Sequence, residues 1–175
     1  EQSFGNCPKY IHRRESQFSG SRARQGGPVR KEGALLSARA KALVEGADTL
    51  FIASASPDVP GSQDHARGSD VSHRGGPRGF VRVEQQGDGH VLVIPDYSGN
   101  YFFNTLGNLR LHPHAGLLFI DFDDGTLLQL IGSTEVILDG PEVEREPGAE
   151  RVLRFRVERG QLSESAVDLT FRELA

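Results

Sequence analysis

Gly116-Leu117-Leu118-Phe119-Ile120-Asp121-Phe122, then Asp123-Asp124-Gly125, then Leu127-Leu128-Gln129-Leu130-Ile131-Gly132, is the stretch on which the fold turns. Two runs rich in Leu, Ile and Phe flank three residues that favour a reversal, the mark of an antiparallel hairpin. The second run continues to Leu138, and Asp139-Gly140-Pro141 closes it. Asp121 to Gly125 hints at a calcium loop. The distal Glu of that motif is missing, so the segment reads as a turn.

Outward from this hairpin the pattern repeats. Upstream, Phe80–Glu84 and His90–Ile94 flank Gly87-Asp88-Gly89, a second hairpin. Between the two hairpins Pro95 to Gly99 breaks the β pattern, and a short helix runs from about Asn100 to Leu111, where Pro113 ends it. Farther upstream the spacing predicts a helix from about Ser37 to Glu45, with Leu36, Ala40, Leu43 and Val44 on one face and Gly46 as its stop. The strand Thr49–Ala53 follows, then a long loop over 56–79. Downstream, Val152, Phe155 and Val157 suggest a last strand over 151–158, and the tail after Ser163 reads as a short helix or a strand. This order predicts a mainly β, α+β domain: a small antiparallel barrel with short helices on its rim.

Residues 13–33 have the Ser, Gly, Gln and Arg composition of a linker, so the domain is expected over 34–175, behind an N-terminal motif and linker over 1–33. The chain contains no Met, which reads as a domain cut from a longer polypeptide. Its 175 residues fit one domain, and no apolar run approaches the roughly 20 residues of a membrane helix. The single Cys7 suits a reducing cytoplasm. Residues 1–33 carry seven Lys/Arg against three Glu, and the remainder 13 basic against 21 acidic residues. A basic arm on an acidic body raises nucleic acid, but the aromatic residues do not interleave with the basic ones as a stacking platform requires.

Two constellations concentrate chemistry. Asp70-Val71-Ser72-His73-Arg74-Gly75-Gly76-Pro77 gathers a hydroxyl, an imidazole and a guanidinium beside two glycines that let a ligand approach the backbone. Arg grips phosphate with paired charged hydrogen bonds, and Ser adds another. A polar surface turn explains the same residues. The second constellation runs from Pro95 to Leu109, with Asn100, Asn104 and Asn108 four apart on one helical face. A helix start there suits an anionic phosphate, and it equally suits an N-cap with neighbouring loop contacts. His112-Pro113-His114 lacks a third ligand at sensible spacing and reads as a solvated turn. Cys7 with Lys9 and His12 suggests a nucleophile and base, against the plainer reading of a buried structural thiol. No dinucleotide-binding glycine motif, Walker sequence or nucleophile elbow is present in the sequence.

Taken together, four runs resemble the pyridoxamine 5'-phosphate oxidase-related flavin-nucleotide-binding proteins: Ser72 to Pro77, Gly79 to Val83, Ile94 to Asn100, and Phe103 to Leu109. Gly116 to Phe122 and Leu128 to Gly132 continue the match, which covers roughly 47–138. The resemblance implies a six-stranded split β-barrel that binds FMN between two barrels. It implies that Ser72, His73 and Arg74 lie near the flavin, and that Phe80 and Val81 present strand backbone to the ring. Asn100, Asn104 and Thr105 are expected by the phosphate and ribityl chain, with Gln129 on the opposing strand. Gln2 to Ile11 resembles the exit of a preceding barrel, which would let Lys9 reach the flavin. The second barrel is then an upstream domain or a second copy. The oxidases proper use several basic residues around the FMN phosphate and more for their phosphorylated substrate; Asn and Thr stand here instead. The resemblance therefore implies an FMN-dependent oxidoreductase or flavin reductase, or a non-catalytic flavin- or haem-binding module.

Overall fold

The computed structural model describes residues 10–18, 27–57, 68–99, 101 and 103–174. Among these, ten strands and three short helices follow one another: β1 (Arg14–Phe18), β2 (Val29–Glu32), α1 (Ala38–Gly46), β3 (Thr49–Ala55), β4 (Ser69–Gly75), β5 (Arg82–Gln86), β6 (Gly89–Tyr97), α2 (Asn104–Leu111), β7 (His114–Ile120), β8 (Leu127–Ile137), α3 (Pro141–Glu144), β9 (Ala149–Ser163) and β10 (Leu169–Glu173). Eight strands form one antiparallel sheet in the order β4-β3-β7-β8-β9-β6-β5, with β2 added on β9. β1 and β10 pair as a separate ribbon.

The 15-residue β9 is the spine. β8 runs along one of its edges from Val152 to Ser163, while β6 and then β2 share the other edge. The sheet rolls. β4 and β6 stand five places apart in strand order, about 24 Å in a flat sheet at ~4.8 Å per strand, yet Arg74 of β4 lies 3.5 Å from Asp96 of β6. Ladder bonds do not join the end strands β4 and β5, so the expected six-stranded barrel takes the form of a rolled eight-stranded sheet among the described residues.

Period-two alternation turns Leu50, Ile52, Leu117, Phe119, Leu128, Leu130 and Leu162 to the inside of the roll, where all are essentially inaccessible. Each such side chain contributes about 1.5–3 kcal/mol by leaving water. α1 closes one side with Ala40, Leu43 and Val44. Its start is fixed by Ser37, whose hydroxyl accepts from the Ala40 N–H and donates to the buried Glu32 carboxylate 2.7 Å away.

Several expectations change. The predicted loop over 56–79 contains β4, paired with β3 along seven residues. The stretch read as linker contains β1 and β2. The strand expected from Phe80 begins at Arg82, and the Pro77–Phe80 segment is a turn closed by the Phe80 N–H on the Pro77 carbonyl. α2 begins at Asn104, and the tail after Ser163 forms β10.

The β1–β10 ribbon is tied to the body at Asp48 and at Phe122, which meets Phe171. Asp48 is 3% exposed, accepts from the Arg14 guanidinium at 2.5 Å, and has His12 at 3.9 Å and Arg78 at 4.0 Å. Arg14 also stacks on Phe122, 3.9 Å from the ring centre, and Glu173 of β10 takes second contacts from His12 and Arg78.

Candidate functional site

β4 decides the site. In a strand, alternate residues share a face, so Asp70, Ser72 and Arg74 point into the roll beside Ile52 and Leu50, while His73 points out beside Phe51. Ser72, His73 and Arg74 are thus divided between the two faces of the sheet. A loop would have allowed all three to face one ligand; the pleat does not.

On the inner face, α2 sits across the opening of the roll and delivers Thr105 from its first turn. The Thr105 hydroxyl donates to Asp70 Oδ2 at 2.5 Å and lies 2.5 Å from Ser72 Oγ, itself 3.2 Å from the same carboxylate oxygen. Deeper in, Asp96 lies between two arginines. Arg151 Nε donates to it at 2.9 Å, and Arg74 Nη1 stands 3.5 Å away. Asp96 and Arg151 are direct cross-strand partners, next to a bulge where the register shifts before Tyr97 meets Ala149. The Arg151 guanidinium lies over the Phe103 ring at 5.0 Å. Arg74, Asp96, Thr105 and Arg151 line a narrow cleft with Leu50, Ile52, Ile94, Pro95, Leu106, Val136, Val152 and Leu153, with a cavity of about 10 Å³, room for about one water. Arg151 also donates to Glu150 at 2.6 Å, so it is shared by two carboxylates, and Arg74 is the more loosely held cation facing the apolar floor. Arg74 uses one loose ion pair, leaving most of its five N–H donors uncommitted in that pair.

On the outer face, His73, Phe51, Leu118 and Gln129 form one cross-strand row, and Val71, Ala53, Gly116 and Ile131 form the next. Val71 is 69% exposed and Ile131 44%. Gln129 and Gln161 join side chains at 2.5 Å. His73 stacks edge-on against Phe51 and hydrogen-bonds Thr49 through Nε2. Burial, reinforced by the neighbouring Arg74 cation, holds the His73 imidazole below its ordinary range.

The remaining expected residues scatter. Phe80 and Val81 are buried in the core ahead of β5. Asn104 opens α2 and is exposed, while Asn108 donates to Ser54 at 3.2 Å. Asn100 and Lys9 lie outside the described residues. The glycines expected to admit a ligand admit the chain itself: a Cβ on Gly75 would stand 2.5 Å from the Tyr10 carbonyl oxygen, and one on Gly76 would strike the Phe80 and Tyr97 rings. In the acidic turn, Arg39 reaches Asp121 at 2.8 Å and Asp124 at 2.9 Å, filling with a guanidinium the place a cation would take. His112 and His114 stack 5.0 Å apart, and among the described residues no three metal-ligating groups gather.

Sequence reading missed Asp96, Arg151, Phe103 and Asp70 as members of the site. Asp70 and Asp96 stand inside the quoted motifs, and a carboxylate beside so many donors was the available signal. Arg151 had none. Only the β6–β9 register brings it to Asp96.

No known protein-family profile matches this chain, and no curated protein sequence does. Solved structures do. HupZ of Group A Streptococcus superposes with a TM-score of 0.50 at 11% identity, over 71% of this chain and 90% of that one. A proposed pyridoxamine 5'-phosphate oxidase of Lactobacillus delbrueckii matches at 0.50 and 15% identity, over 73% and 93% of the two chains. A Corynebacterium diphtheriae protein of unknown function matches at 0.50 and 13% identity, over 78% and 98%. At such identities the likeness shows a shared fold, that of the pyridoxamine 5'-phosphate oxidase-like proteins.

Proposed function

From the fold this chain shares with HupZ and with the Lactobacillus protein, we propose that it is an FMN-binding domain, in which Ser72, Arg74 and Thr105 hold the phosphate. The observation that carries the reading is that Arg74 of β4 and Thr105 of α2 line one cleft, with the Ser72 hydroxyl 2.5 Å from that of Thr105. The donor set fits the phosphate group: a guanidinium and two hydroxyls are phosphate ligands. Asn104, exposed at the same helix start, is the residue proposed for the ribityl chain.

When bound, FMN supplies hydride and electron chemistry; the protein's part is to bind and orient it. His73 and Gln129 stand at the two ends of an apolar row on the outer face. That row, with exposed Val71 and Ile131 beside it, suits a second barrel, either another copy or an upstream domain of the same polypeptide. His73 there is a neutral hydrogen-bonding group rather than a cation, because burial depresses its proton affinity.

The test is an absorbance spectrum before and after FMN addition, followed by desalting. Flavin bands that survive desalting support the reading, and a spectrum that FMN cannot alter overturns it. Turnover with reduced nicotinamide then divides the roles. Steady consumption makes the domain an oxidoreductase or flavin reductase, in keeping with a cytoplasmic enzyme; binding without turnover makes it a non-catalytic module.

A further inference from the structure

We propose that Asp70 is a built-in competitor for the phosphate, a specificity-determining carboxylate that holds the hydroxyl pair until an anion displaces it; the inference rests on the flavin reading above. Ser72 and Thr105 bring two hydroxyl hydrogens, and three oxygens share them. Either both hydroxyls donate to Asp70 Oδ2, or Ser72 donates to Thr105 and Thr105 to Asp70. In both arrangements the two hydrogens are spent within the Asp70–Ser72–Thr105 cluster, and none is left for an incoming phosphate. A phosphate dianion brings no hydrogen of its own, and it meets a like charge at hydrogen-bonding range of the atoms it needs.

The surroundings make this a contest rather than a fixed bond. Thr105 is 3% exposed, so water cannot supply a substitute partner while Asp70 is in place. Asp70 itself is only half-buried. It sits on β4, the end strand of the sheet, whose ladder among the described residues is to β3 alone. A carboxylate near an open edge can swing to water when a stronger anion arrives. The neighbouring Arg74 is shared with Asp96 in the same manner, so the cleft keeps its cation balanced as well. Such a site discriminates against the phosphate end of a flavin and not against its ring.

The consequence is measurable as a ratio. Asp70→Asn keeps the side chain's size, removes the charge, and can turn its amide N–H groups toward the hydroxyl oxygens, releasing their hydrogens. Fluorescence titration with FMN and with riboflavin, which lacks the phosphate, is made on the wild-type chain and on Asp70→Asn, with Asp70→Ala as the second variant. The expected result is roughly tenfold or tighter FMN binding in both variants, with riboflavin affinity unchanged. Equal FMN affinity in all three proteins, or weaker binding in both variants, overturns the competitor role and leaves the flavin reading standing. If no protein binds either flavin, the flavin reading falls. Titration with inorganic pyrophosphate then judges Asp70 alone: tighter binding by the variants retains it, and equal binding overturns it. Unchanged near-ultraviolet circular dichroism verifies that each variant is folded.

Discussion

Two carboxylates in this molecule each lie between arginines, and they serve opposite ends. Asp48 is met by Arg14, Arg78 and His12, which come from the N-terminal segment and from the turn before β5. Asp96 is met by Arg74 and Arg151, from β4 and β9. Both are largely buried. At Asp48 the space is filled: Arg14 is held at 2.5 Å, only 10% exposed and stacked on Phe122. At Asp96 the space is open: Arg74 stands off at 3.5 Å, is 24% exposed, and looks into a cleft. One ion cluster is a lock and the other is a socket. What separates them is how closely the arginine is held and how far it stays exposed.

The largest way to break this comparison is Asp48→Ala. It leaves the buried Arg14 cation unpaired, so the unfolding free energy should fall by about 3 kcal/mol in urea titration, with FMN affinity of the folded protein unchanged. A loss near zero would strip Asp48 of its locking role. Arg74→Ala should do the reverse: FMN binding weakens by more than about tenfold, the loss of one charge-assisted contact. Its thermal midpoint should barely move, because Arg151 still covers Asp96. Unaltered affinity would remove Arg74 from the phosphate site.

Gly75→Ala sharpens the lock side. The new methyl meets the Tyr10 carbonyl and His73 Cε1, and overpacking of this kind costs about 1–2 kcal/mol. Hydrogen exchange should quicken in β1 and β10 before it changes in β7 and β8; uniform loss across the sheet would contradict that. The smallest effect belongs to His73→Gln. In the folded chain His73 stays neutral below its ordinary pKa of about 6.5, while the unfolded chain takes up the proton there. Its contribution to stability is therefore complete above about pH 6.5 and declines as the pH falls. The variant should lose less stability than the wild type between about pH 7.5 and pH 5.5; identical slopes would show that His73 protonates freely.

Legibility in the sequence followed burial. β3, β6, β7 and β8 carry apolar residues where the sheet buries them, so their runs were visible, and Ser37 with Gly46 marked the ends of α1. β1, β2 and β4 were not visible, because each has few neighbours to bury against. Arg14 to Phe18, Val29 to Glu32 and Ser69 to Gly75 are mostly polar and carry no periodic signal. Misreading β4 as a loop had a cost at the site, since only a strand sends Ser72 and Arg74 one way and His73 the other. Ser72 and Arg74 stood out by local chemistry and Thr105 only by the family resemblance; Arg74 and Thr105 line one cleft, and Ser72 meets Thr105 at its hydroxyl. Arg151, 55 residues from Asp96, could be found only through strand register.

The β1–β10 ribbon sets Arg14 opposite Glu173. A nascent chain therefore carries β1 unpaired until almost the whole domain has left the ribosome, and the last pairing must close a loop as long as the domain itself. The same arrangement brings Arg14 and Glu173 side by side. A circular permutant that joins them with a short linker and opens at the exposed Gly87-Asp88 turn would make that last closure local, and should fold faster into the same sheet.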